Sequence, residues 1–194
     1  MNARFDRSRD ILLTDEASPV PLRTHLLNAS YTFARRAAQL PGVSRIAVIG
    51  SLLTPKLQPK DADVLVTVDA DLELGRLAHA GRQFKGRTQT RNCGADIFLA
   101  NEAGRYLGRI CGWRECAPGI RAACRAEHCG RVAYLNDDLW VVTLKPALVA
   151  EPPLELWPRL VRRVALPRDV EAVLGQGLPT DPRLSRAARV TPKQ

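Results

Sequence analysis

Three aspartates show the pattern of a site for divalent cations. Asp61 and Asp63 alternate at the start of an apolar run, and Asp96 stands in a later one. Because alternate residues of a strand point to the same side, a strand over residues 61–68 would bring the first two carboxylates together. Magnesium prefers such oxygen ligands. The pattern predicts that the three aspartates are catalytic and bind Mg²⁺, with two ions expected.

A second group of residues suits phosphate binding. Gly50 and Ser51 directly follow a run rich in β-branched residues over 43–49, which is typical of a buried strand. A glycine turn after a strand lets the backbone approach phosphates closely, and the serine hydroxyl can donate to them. With Lys60, which precedes the acidic pair, these two residues are the predicted nucleotide-binding set.

Hydrophobic periodicity predicts the elements that position these residues. The predicted elements are a helix over 22–40, strands over 43–49, 61–68 and 95–99, a helix over 72–80 and a basic connector over 81–92. Further along we expect a strand over 139–144 and helices over 154–164 and 169–174. The order helix, strand, strand, helix, strand predicts an α/β (α+β) fold with a mixed sheet flanked by helices.

Changes in composition divide the chain into segments. We expect a flexible N-terminal arm over 1–21, a catalytic core over 22–104, a Cys/Arg-rich extension packing on the core over 105–150, a C-terminal helical segment over 151–176 and a disordered tail over 177–194. Proline and charge mark both outer segments.

The core resembles a known superfamily. Ile49-Gly50-Ser51, nine intervening residues and then Asp61-Ala62-Asp63-Val64 are similar to the motif of nucleotidyltransferases of the DNA polymerase beta type. Asp96 occupies the place of that family's third acidic residue on the following strand. The resemblance covers roughly residues 22–100 and implies the nucleotidyltransferase fold.

The resemblance also implies an activity. A Mg²⁺-dependent enzyme of this family moves a nucleoside monophosphate from a nucleoside triphosphate, with ATP favoured, to a hydroxyl of a macromolecular acceptor, RNA or protein. Asp61 and Asp63 would bind both metals, and Asp96 would bind the catalytic metal and help to deprotonate the acceptor. The alternative is a catalytically inactive module of the same fold, such as an antitoxin-like or RNA-associated protein.

The extension contains a dense group of cysteines. One interpretation is a structural Zn²⁺ site, since thiolates bind zinc tetrahedrally and would staple a glycine-broken segment. Against zinc, no Cys-x-x-Cys occurs, and free thiols packed as small hydrophobes, or a reactive cysteine, are the alternatives. The candidate zinc ligands are Cys111, Cys116, Cys124, Cys129 and His128.

Basic residues suggest an anionic partner. The chain has 29 Lys and Arg against 20 Asp and Glu, a net charge of +9, which suits a nucleotide or RNA, although scattered charge also suits a solvated surface. The extension combines arginines with aromatics, which fits phosphate contact and base stacking, or equally a core with a basic rim. These residues are Arg105, Arg109, Arg114, Arg121, Arg125, Arg131, Tyr106 and Trp113.

Hydropathy gives an expectation about location. The N-terminal residues lack the apolar stretch of a secretion signal, and no apolar run approaches the ~20 residues that a membrane helix needs. We therefore expect a cytoplasmic protein with no membrane partner and with reduced cysteines.

Overall fold

The computed structural model describes residues 20–114 and 132–175. In chain order its elements are α1 (Leu22–Ala37), β1 (Val43–Ile49), a 3₁₀ turn (Gly50–Leu53), β2 (Asp61–Val68), α2 (Leu74–Gln89), β3 (Gly94–Asn101), β4 (Tyr106–Ile110), β5 (Leu135–Asn136), α3 (Pro146–Ala150), β6 (Leu154–Trp157), β7 (Val161–Arg162) and α4 (Arg168–Gly175). The predicted first helix and first three strands are confirmed, as is a helix at residues 169–174.

The strands of the described chain form one mixed sheet in the order β5-β4-β3-β2-β1-β6-β7. β2 and β3 are parallel because α2 carries the chain back between them, and the other neighbouring strands are antiparallel. The expected mixed α/β architecture is therefore confirmed at this level. Two residues of the extension region, Tyr106 and Leu135, begin strands that add β4 and β5 to the sheet edge beside β3.

One face of the sheet carries the larger core, which α1 and α2 cover. Ala62, Val64 and Val66 of β2 point to this face because they alternate with the aspartates. Phe33 of α1 stacks on Phe84 of α2 with ring centroids 5.1 Å apart. Truncating either ring to alanine would cost about 3–5 kcal/mol.

The opposite face carries a smaller cluster and is only partly covered. Its members are Ile49, Leu65, Phe98, Ala100, Tyr106 and Val149. Arg45 of β1 holds α3 over this cluster by donating to the carbonyl oxygens of Val149 and Ala150, at 2.5 and 2.9 Å. These carbonyls belong to the end of a helix, where no further turn would satisfy them. Among residues 20–114 and 132–175, no helix covers the half of the face that carries the aspartates.

The second helix is longer than its sequence suggested. The prediction of a helix over 72–80 and a connector over 81–92 is wrong, because α2 continues to Gln89. Leu77, Gly81, Phe84 and Thr88 are buried at spacings of four, three and four, which is one helical face. Gly81 lies where the sheet comes close to this helix, since a Cβ there would lie 2.7 Å from Ile97 Cδ1.

Two later predictions are also wrong. Residues 139–144, predicted to form a strand, have no regular structure. Residues 154–164, predicted to be a helix, form β6 and β7, which pair with each other while β6 also pairs with β1. Pro158 lies between the two strands, where a continuous helix would clash with the proline ring. The segment 151–176 therefore contains a strand pair before its helix.

Several predictions fall outside the described residues. These are the arm over 1–19, the part of the extension over 115–131 and the tail from 176 onward. Among the described helices, none combines the length and the apolarity needed to cross a bilayer.

Candidate active site

Strand pairing brings two of the three predicted aspartates side by side. Asp63 pairs with Ile49 of β1 on one side and with Asp96 of β3 on the other. Paired residues on adjacent strands point to the same face, about 5 Å apart. Asp61 pairs with Gly94, two residues earlier on the same face. The three aspartates thus lie at the edge where β2 and β3 begin and β1 ends.

Gly50 forms a tight turn against this edge. It has a φ of +76°, a conformation that residues with a Cβ rarely adopt. A Cβ at this position would collide with Oδ2 of Asp63. The Gly50 backbone and the Asp63 carboxylate are therefore in direct contact. The predicted approach of this turn to phosphates stays a prediction.

Asp61 points in another direction. Its Oδ1 lies over Gly94, where a Cβ would collide with it, whereas the Asp63 carboxylate lies against Gly50. The two carboxylates diverge, and within residues 20–114 and 132–175 no three His, Cys, Asp or Glu side chains converge as a metal-binding group. The strands supply the expected carboxylates, but the side chains as they stand do not form a closed metal site.

The electrostatics of Asp63 are unusual for an aspartate. Burial, followed by the negative charges of Asp96 and Asp61, raises its pKa from 3.8 to about 6. In the described part of the chain, neither Asp63 nor Asp61 has an ion-pair partner. The site thus carries more negative charge than its own side chains neutralise.

Asp96 has two basic neighbours that sequence reasoning did not assign to the site. Lys85 Nζ lies 3.5 Å from one carboxylate oxygen, and Arg109 Nη1 lies 3.6 Å from the other. Both distances exceed the ~2.8 Å of a charge-assisted hydrogen bond, so these contacts are loose. Lys85 lay in the predicted connector, and Arg109 belonged to a larger set of arginines. The packing of α2 on the sheet brings Lys85 to Asp96, and the pairing of β4 with β3 brings Arg109 there.

A bulge in β4 turns Arg109 toward the aspartates. Arg109 pairs with Phe98 and Tyr106 pairs with Ala100, with a register shift between these pairs. Residues three apart on a regular strand would point to opposite faces, but the shift places both side chains on the aspartate face. Gly108 lies within the bulge with a φ of +129°.

The loop between Gly50 and β2 is fixed by a buried arginine. Arg23 of α1 is 6% exposed, and its guanidinium donates to the carbonyl oxygens of Leu52, Thr54 and Lys56. Its Nε lies 2.7 Å from Oδ2 of Asp169 on α4. One side chain therefore joins the loop to two helices, and no local pattern indicated this role.

The other predicted nucleotide-binding residues lie on the same loop. The Ser51 carbonyl closes the 3₁₀ turn by accepting hydrogen bonds from the amide and the hydroxyl of Thr54, at 3.2 and 2.9 Å. Lys60 has an exposed side chain, and its carbonyl accepts a hydrogen bond from the Gly94 amide at 2.8 Å. Both residues thus border the aspartate edge.

No family model, curated protein or solved structure matches this chain.

Most of the predicted zinc ligands lie outside the described residues. Cys116, Cys124, His128 and Cys129 belong to residues 115–131. Cys111 is a half-buried free thiol at the end of β4. The zinc site remains a prediction.

A cavity of about 1060 Å³ in the described part of the chain lies away from the aspartates. It is lined by Val68 and Leu99, near the ends of β2 and β3, and by Arg36, His79 and Tyr134. A smaller cavity of about 450 Å³ lies beside Tyr106 and Val149 on the aspartate face.

Proposed function

We propose that the protein is a Mg²⁺-dependent nucleotidyltransferase of the DNA polymerase beta type. The observation that carries this proposal is the pairing of Asp63 with Asp96 across parallel strands, with the Gly50 turn packed against the Asp63 carboxylate. The substrate would be a nucleoside triphosphate, with ATP favoured by the family resemblance, and the acceptor a hydroxyl of RNA or of a protein.

The aspartates fit magnesium in chemistry and in charge. Carboxylate oxygens are hard ligands. Burial and then the negative charges of Asp96 and Asp61 raise the pKa of Asp63, and a divalent cation would offset that charge. Asp61 and Asp63 would hold the ions together with Asp96, which requires Asp61 to turn away from Gly94. Bound magnesium would neutralise charge on the triphosphate and orient it.

The remaining residues have separate tasks. Gly50 and Ser51 bring the backbone and a hydroxyl close to the phosphates, and Lys60 adds a positive charge. Asp96 takes the proton of the acceptor hydroxyl while the oxygen of that hydroxyl bonds to the α-phosphorus of the triphosphate. The bond from that phosphorus to the bridging oxygen breaks, and pyrophosphate leaves with the electron pair. Arg23 keeps the loop in place throughout.

One observation favours a second candidate function. Lys85 and Arg109 already partly neutralise Asp96, and the aspartates do not converge as they stand. A module that uses the fold only for binding would have the same features. This alternative predicts a folded protein that transfers no nucleotide.

A labelling experiment separates the two candidates. The purified protein would be incubated with Mg²⁺ and each α-³²P-labelled nucleoside triphosphate, with cell RNA and cell protein as separate acceptors. We expect label on one acceptor, reduced by about two orders of magnitude or more in Asp63→Asn and in Asp96→Asn. Asp71→Asn, an exposed aspartate beyond the other end of β2, is the matched control and should keep full activity. No label from any folded sample would favour the binding module.

A further inference from the structure

The smaller cavity has the composition of a pocket for an anionic ligand with an apolar part. Its volume of about 450 Å³ is within the usual range for ligand pockets. Tyr106, Leu144 and Val149 supply apolar surface, and Arg105 and Lys145 supply positive charge. No acidic residue lines it in the described part of the chain. A nucleotide has this combination of an apolar ring and a negative phosphate.

The pocket and the aspartates share one face of the sheet. Asp96, Phe98 and Ala100 alternate along β3 on that face, and Tyr106 pairs with Ala100 at the pocket end. Four residues of strand separate Asp96 from Ala100, which is about 13 Å. A ligand that fills the pocket could therefore extend to the aspartates only if it were longer than one nucleotide.

Basic side chains mark both ends of this path. Lys85 and Arg109 lie at Asp96, and Arg105 and Lys145 lie at the pocket. Spaced positive charges match the regularly spaced phosphates of a nucleic-acid strand.

An exposed aromatic residue stands beside the pocket. Trp140 follows Leu139, which lines the cavity, and its side chain is 92% exposed. Tryptophan is rarely left so open on a surface, and aromatic rings beside a basic groove stack on unpaired bases. A duplex would hide its bases from such a ring, so the ligand is single-stranded.

We infer that the pocket formed by Arg105, Tyr106, Leu144, Lys145 and Val149 binds single-stranded nucleic acid whose 3′ end reaches Asp96. This inference rests on the proposed function, because it makes the strand the acceptor. RNA and DNA share the required chemistry, and the test includes both.

Binding can be measured apart from catalysis. A short fluorescein-labelled single strand, RNA or DNA, would be titrated with the full chain in EDTA without nucleotide, and anisotropy recorded at several salt concentrations. Arg105→Ala with Lys145→Ala should weaken binding roughly tenfold and reduce the slope of log Kd against log salt by about 1.4, which is two lost phosphate contacts. The matched control is Arg76→Ala with Arg87→Ala, which removes the same charge from exposed positions of α2.

A second pair of variants tests the stacking contact. Trp140→Ala should weaken binding about tenfold, whereas Trp113→Ala, at another exposed tryptophan, should not. All of these positions except Arg76 and Arg87 lie on strands or loops, and circular dichroism would confirm that each variant is folded. Equal effects in the pocket pair and the control pair, or no binding by the unaltered protein, would overturn the inference.

An assay of labelled-nucleotide transfer to the same single strand separates this inference from the proposed function. The pocket pair should raise the KM for the strand and leave kcat unchanged, and a strand that ends in a 3′-phosphate should bind but receive no label. Label on protein acceptors only would overturn the pocket as an acceptor site while the nucleotidyltransferase stands. Binding as expected without label on any acceptor would overturn the nucleotidyltransferase, and with it the role of the strand as acceptor.

Discussion

Replacing Asp63 with asparagine should make the metal-free protein more stable at neutral pH. Burial, followed by the negative charges of Asp96 and Asp61, raises the pKa of the Asp63 carboxyl from 3.8 to about 6. The folded protein therefore holds a proton at Asp63 more tightly than the unfolded chain does. Its contribution to stability is greatest below pH 3.8 and is lost as the pH rises through about 6.

The size of this effect follows from the two pKa values. Their difference corresponds to about 3 kcal/mol. Solvent reaches part of the carboxylate and screens its charge, which reduces the expected effect to about 1–2 kcal/mol. Asparagine has nearly the same shape and cannot ionise, so Asp63→Asn should gain this amount above about pH 7 and little near about pH 4.

Urea unfolding in EDTA would test the prediction by measuring free energies of unfolding. The free energies of unfolding of the protein, Asp63→Asn and Asp71→Asn would be compared across the pH range, because the difference between curves removes the contributions of other groups. Added Mg²⁺ should stabilise the unaltered protein more than Asp63→Asn. The prediction would be wrong if Asp63→Asn were no more stable than the unaltered protein at neutral pH while Asp71→Asn was unchanged. The ionised Asp63 carboxylate would then not destabilise the folded protein.

Four further substitutions test the elements around the site. Gly50→Ala should cost more than about 2 kcal/mol in urea unfolding, because a Cβ would be strained and would strike a carboxylate. Gly81→Ala should cost about 1–3 kcal/mol, since its Cβ would meet Ile97, whereas Gly86→Ala, with open space around it in the same helix, should stabilise by about 0.5–1 kcal/mol. Arg23→Ala should cost about 3 kcal/mol or more by leaving carbonyl groups unpaired, and should raise the KM for the triphosphate in the labelling assay. Equal stabilities of Gly81→Ala and Gly86→Ala would contradict the close packing of α2, and an unchanged KM in Arg23→Ala would contradict its role in positioning the loop.

The helices and strands with a clear hydrophobic periodicity could be predicted from the sequence. The limits of β1 and β2 coincide with the predicted runs because β-branched residues and alternation define them locally. The pairing of Asp63 with Asp96 was expected only through the family motif. It depends on the register of two strands that α2 separates in sequence.

Other features depended on contacts that no local pattern reveals. Gly81 looked like a helix breaker, yet it is a small residue required by a close neighbour in the sheet. Arg23 meets carbonyl groups about thirty positions away along the chain. Arg109 reaches Asp96 only because β4 contains a bulge. Each of these features depends on tertiary packing between residues that are distant in the sequence. Hydrophobic periodicity in a single sequence does not show such contacts.

The position of β1 between β2 and β6 has a consequence for shortened forms of the protein. Residues 22–104 include every residue of the motif, but not β6, which pairs with β1 from residues 154–157. In that fragment β1 would be an uncovered apolar edge, with free amide and carbonyl groups along residues 46–48. Such edges recruit strands from other molecules. The fragment that looks complete by its motif would therefore self-associate, and residues 154–157 protect the protein from aggregation as well as extending its sheet.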